Sequence, residues 1–77
     1  TTMNNTRRKA LIESIKNIEL AYNTIEEAGT DERDCAENLP ENLQDSERYY
    51  EMEERATELE DIATELYDII DRINETL

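Results

Sequence analysis

Histidine, tryptophan and phenylalanine are absent from this 77-residue chain, and glycine, proline and cysteine occur once each, at Gly29, Pro40 and Cys35. Without histidine or a second cysteine there is no ligand set for a zinc site. Cys35 has no disulfide partner within the chain and no base to make it a nucleophile. No glycine-rich loop exists to cradle a phosphate, and neither H-E-x-x-H nor an acidic calcium loop is present. The repeated tight turns of an all-β fold are missing too. No apolar run reaches the length of a secretory h-region or a membrane span, which predicts a cytoplasmic protein without membrane attachment. Carboxylate pairs such as Glu51/Glu54 and Glu58/Asp61 could act as acid and base, but on exposed helix faces they read as solvated surface. The chain is therefore expected not to be an enzyme and to hold no cofactor or metal.

What the chain has in quantity is negative charge and regularly spaced aliphatic residues. Twenty-one Asp and Glu against eight Lys and Arg give a net charge of −13. Direct binding to nucleic acid is disfavoured, the short run Arg7-Arg8-Lys9 being the one basic cluster. High charge can signal disorder, but the apolar residues here keep helical spacing. Tyr49, Met52, Ala56, Leu59, Ala63, Leu66, Ile70, Ile73 and Leu77 alternate steps of three and four over four heptads. Ile62, Ile69 and Tyr67 widen that stripe. Leu11, Ile15, Ile18, Tyr22 and Ile25 repeat the pattern in the first half, with Ile12 beside them. Gly29-Thr30-Asp31 has the local grammar of a helix stop. The small residues Ala21, Ala28 and Cys35 nevertheless recur every seven positions through it. One continuous helix is expected, weakened at Gly29 by about 1 kcal/mol relative to alanine, with a kink there as the alternative.

Pro40 cannot continue a helix and pushes Leu39 out of the helical region. Ser46 or Asp45 can cap a second helix. The spacing predicts a helix over residues 6–37, a turn over 38–46 and a helix over 47–76. That is a single all-α domain, an antiparallel two-helix hairpin of coiled-coil type. Folding about residue 42 pairs positions whose numbers sum to about 84, give or take a turn. Ile15 then faces Ile70, Tyr22 falls near Ala63 and Gly29 near Ala56, while Leu39 and Leu43 plug the turn end.

A core this small rarely supplies more than about 3–5 kcal/mol. With disulfides and metals excluded, the hairpin is expected to associate with itself into a helical-bundle dimer or tetramer. The expected interface is Leu11, Ile12, Ile15, Ile18, Ile62, Ile69, Ile70 and Ile73, at the end carrying the termini. The turn end has the opposite character: residues 26–61 hold fifteen acids against Arg33, Arg48 and Arg55, a net of −12.

The stretch Asn38-Leu39-Pro40-Glu41-Asn42-Leu43-Gln44-Asp45-Ser46-Glu47-Arg48-Tyr49 resembles a segment of small acidic helical proteins of Firmicutes and their phages. Those proteins look like two acidic helices around an N-x-P-E-N-L-Q-x-S-E-R-Y turn, after a basic start similar to Arg7-Arg8-Lys9. The resemblance implies a phage or mobile-element setting and brings no catalytic residues. The helix before the turn commonly runs unbroken in that group, so Gly29 is a departure. The leading functional expectation is a non-catalytic homo-oligomer that binds a host macromolecule, such as a host protein, through its acidic turn end, as an inhibitor or DNA mimic. Glu41, Asp45, Glu47, Arg48, Tyr49 and Tyr50 are the contact residues. One alternative is an oligomeric pocket in which Arg48, Tyr49 and Tyr50 hold a nucleotide-like ligand by pairing and stacking. The other is a purely structural assembly element.

Overall fold

The computed structural model describes residues 4–77 and shows two long helices packed antiparallel as a hairpin. Helix α1 spans Asn5–Glu37 and α2 spans Glu47–Thr76, with one short 3-10 turn, Glu41–Leu43, between them. The rod measures 61 × 16 × 11 Å. Helix α1 starts where the Asn4 Oδ1 accepts the backbone N–H of Arg7 at 2.8 Å. Ser46 rather than Asp45 caps α2, its Oγ accepting the Tyr49 N–H at 3.3 Å. Each cap occupies a donor that the first helical turn leaves unpaired.

Helix α1 runs unbroken through Gly29, which has no unusual backbone angle. The glycine is explained from across the hairpin. A Cβ on it would stand 3.3 Å from the Leu59 Cβ and 3.6 Å from the Ala56 carbonyl oxygen. Close approach continues on either side, where Ala36 and Ala56 are 0% exposed and Ala63 is 4% exposed. Ile15, Met52 and Ile70 complete the buried apolar set, each at 7%, and no large side chain among the described residues is fully enclosed. Two cylinders touch along a line, so only side chains on that line escape water.

The register lies about a turn from the expected pairing, with Gly29 beside Ala56 as expected. The Tyr22 ring lies 5.9 Å from that of Tyr67, one turn beyond Ala63, and Glu32 meets Arg55. Those pairs sum to 89 and 87 rather than 84. Helix α1 continues to Glu37 and the 3-10 turn follows Pro40, which moves the midpoint of the hairpin toward residue 44. Leu43 is 42% exposed, so of the two expected plugs only Leu39 is partly shielded.

Candidate functional site: the acidic turn end

The turn is held by its own polar groups. Asn38 closes α1, its N–H donating to the Asp34 carbonyl at 3.0 Å, and the Leu43 N–H donates to the Pro40 carbonyl at 2.8 Å. The Gln44 side-chain amide donates to the Leu39 carbonyl at 3.2 Å and to the Glu37 carbonyl at 3.5 Å, tying the turn to the end of α1. The Ser46 hydroxyl donates to the Leu43 carbonyl while its oxygen caps α2. Asn38, Pro40, Gln44 and Ser46 thus have structural duties, which leaves Glu41, Asp45, Glu47 and Arg48 as the free charges of the turn.

Two arginines brace the helices behind it. Arg33 of α1 reaches Glu53 at 2.7 Å and Glu60 at 2.9 Å, and its second amino group lies 3.3 Å from the Thr57 hydroxyl. These three partners lie along one face of α2 at steps of four and three. Both carboxylates hold the Arg33 guanidinium above its ordinary value, Glu60 foremost. Arg55 of α2 answers from the other side with a 2.9 Å bond to Glu32. Counting charges alone does not find these braces. Heptad arithmetic does: Arg55, Ile62 and Ile69 form one row, as do Leu11, Ile18, Ile25 and Glu32.

Glu41, Asp45, Glu47 and Arg48 are all exposed, and Arg48 makes no ion pair within 4.0 Å among the described residues. Tyr49 is half-buried and meets Tyr50 edge to face at 5.6 Å, leaving Tyr50 54% exposed. The open groove beside Tyr50 is lined by Glu53, Glu54, Thr57 and Glu58. Three carboxylates make it a poor seat for a phosphate, which weakens the nucleotide reading for a single hairpin. The Tyr49 hydroxyl is held above the usual tyrosine range, foremost by the charge of Glu53 and then by partial burial. Among the described residues, no three Asp, Glu or Cys side chains converge to hold a metal ion. None of the helices there is long and apolar enough to cross a membrane.

The residues expected at the subunit interface do not share one surface. Ile15 and Ile70 are buried in the hairpin, and Leu11, Ile18, Ile62 and Ile73 are half-buried. Leu11, Ile69 and Ile73 line one open groove together with Arg72, Glu75 and Thr76. Ile12 is 40% exposed on the other side, seven residues before Glu19, which borders the groove of Tyr22 and Tyr67.

The fold defines the class, an all-α antiparallel helical hairpin. Compared with protein-family models, curated proteins and solved structures, the chain finds no match.

Proposed function

We propose that this chain is a non-catalytic, self-associating hairpin of the phage or mobile-element kind that acts by binding a basic surface of a host macromolecule through its acidic turn end. The state of the carboxylates carries this reading. Of the fifteen acids in residues 26–61, Glu32, Glu53 and Glu60 are the ones engaged in ion pairs, and the other twelve are exposed. Helix and turn together span about 25 Å along the rod there, at 1.5 Å per helical residue. A net of −12 over that length is roughly one charge per 2 Å, against one per about 1.7 Å of duplex DNA. A surface that binds DNA phosphates would meet a comparable field here. The braces of Arg33 and Arg55 keep the two acidic strips at fixed spacing, which lowers the ordering cost of binding.

Capture from a host lysate at low and at high salt tests the proposal, comparing the parent chain with the triple variant Glu41→Gln, Asp45→Asn, Glu47→Gln. The parent should retain a basic protein at low salt and release it at high salt, and the variant should retain much less. Equal retention by both proteins, or retention indifferent to salt, would overturn it.

A further inference from the structure

One face of α1 is free of charge for most of the rod's neutral half, and on α2 Glu65, Arg72 and Glu75 stand only at its border. On α1 the exposed positions Ala10, Ser14, Asn17, Ala21, Thr24 and Ala28 follow one another at steps of four and three, and none is charged. The strip ends at Asp31, three residues past Ala28, and the back of the same helix carries Glu13, Lys16, Glu27 and Asp34. Beside the uncharged strip run the half-buried row Leu11, Ile18 and Ile25 and, on α2, Ile62 with the 39% exposed Ile69. The Glu32–Arg55 pair places these rows opposite each other, since Glu32 is seven residues beyond Ile25 and Arg55 seven before Ile62. The seam is apolar toward the termini and ionic toward the turn.

From this we infer that the face covers itself with a second copy of the chain, in a two-fold dimer whose acidic ends point away from each other. The inference rests on the reading that the chain self-associates, and adds to it which face is used and how the copies are arranged. Area supports a partner: the hairpin exposes 5945 Å², whereas a compact monomer of this mass exposes about 4,900 Å². The surplus of about 1,000 Å² is close to the roughly 800 Å² that each partner loses in a standard interface. A two-fold contact must also be self-complementary. This face offers protruding isoleucines on α2 and a seat of small side chains on α1, so each copy supplies what the other needs. Charge sets the direction. Outside residues 26–61 there remain six acids and five bases, a net of −1 against −12 at the turn end. Two copies overlapping through their near-neutral halves keep the acidic ends apart, and a parallel pair would stack them.

Sedimentation equilibrium and X-ray scattering test this on the parent chain, on Ala21→Glu and on Asn23→Glu. The parent should have the mass of two chains. Two 61 Å rods that set residue 10 of one against residue 28 of the other overlap over about 45 Å, the strip of about 27 Å and the end segment of about 9 Å beyond it in each copy, and should give a maximum dimension of about 77 Å. Ala21 is exposed in the single hairpin, so its change to glutamate should weaken the dimer by about 100-fold or more, the penalty for burying unpaired carboxylates. Asn23→Glu lies on the Tyr67 side and should leave the dimer intact. Scattering from the parent keeps the arrangement testable even if Ala21→Glu unfolds. A monomeric parent would overturn both self-association and this face. A dimer that survives Ala21→Glu, yields to Asn23→Glu, or is no longer than a single hairpin would overturn the face or its direction alone.

Discussion

Arg33 on α1 meets Glu53 on α2 at 2.7 Å, and the same guanidinium meets Glu60 two turns further along α2 at 2.9 Å. The Arg33 and Glu53 side chains are 31% and 26% exposed, so water screens the attraction and the brace has the modest strength of a surface ion pair. Arg33→Gln should therefore lower the melting temperature by only about 2–5 °C for a chain this size. The loss should shrink as salt rises. A double-mutant cycle with Glu53→Gln in urea melts reads the coupling, and zero coupling would show that the brace does not hold in solution.

Gly29 answers to Leu59. At 3.3 Å from the Leu59 Cβ, a new methyl group has to push the helices slightly apart. That cost sets itself against the gain of about 1 kcal/mol from replacing glycine in a helix. Gly29→Ala should change thermal stability little, whereas Gly29→Leu should lower it by about 1–3 kcal/mol through overpacking. A Gly29→Leu protein as stable as its parent would mean that α1 and α2 do not approach closely there.

At high pH the tyrosines become informative. Glu26 is the foremost cause of the raised Tyr22 hydroxyl, and the charge of Glu53 that of Tyr49. Between the unfolded value of about 10 and the higher folded values, the folded state binds more protons than the unfolded state. Their contribution to stability is intact below about pH 10 and disappears as pH climbs through that window. Tyrosinate absorbance should show two of the four tyrosines ionising later in the folded chain than in urea. Superimposable folded and unfolded titrations would contradict this.

Salt should stabilise the hairpin. Twelve exposed carboxylates between residues 26 and 61 repel one another, and three cross-helix ion pairs attract. Screening weakens both terms, but the repulsive one is the larger. Moving from about 0.01 M to about 1 M salt shortens the screening length from about 30 to 3 Å and should raise the melting temperature. A lower melting temperature in high salt would show that attraction dominates the acidic end.

Much of this architecture is legible in spacing alone. The alternation from Tyr49 to Leu77 is plain in the sequence, and Pro40 with Ser46 locates the turn. Gly29 is not decidable locally, because the reason for it is Leu59 on the opposite helix. The pairing sum misses by a few residues because it depends on how the 3-10 turn follows Pro40. A list of aliphatic residues does not say which face each occupies. Ile12 and Ile69 look alike in sequence and stand on opposite sides of the rod. Of the expected contact residues at the turn, the four charged ones are free, while Tyr49 is half spent on packing.

The chain folds back on itself so that neutral, apolar surface gathers at one end and acid at the other. A spin-label distance between Glu13→Cys and Glu75→Cys, in a Cys35→Ser background and diluted with unlabelled chain, tests it most directly. Cys35 is exposed, so its replacement is benign. Packed helices lie about 8–10 Å apart, so in the hairpin the labels should stand less than about 25 Å apart. A separation of about 90 Å, the span of one unbroken helix between the two labels, would contradict it.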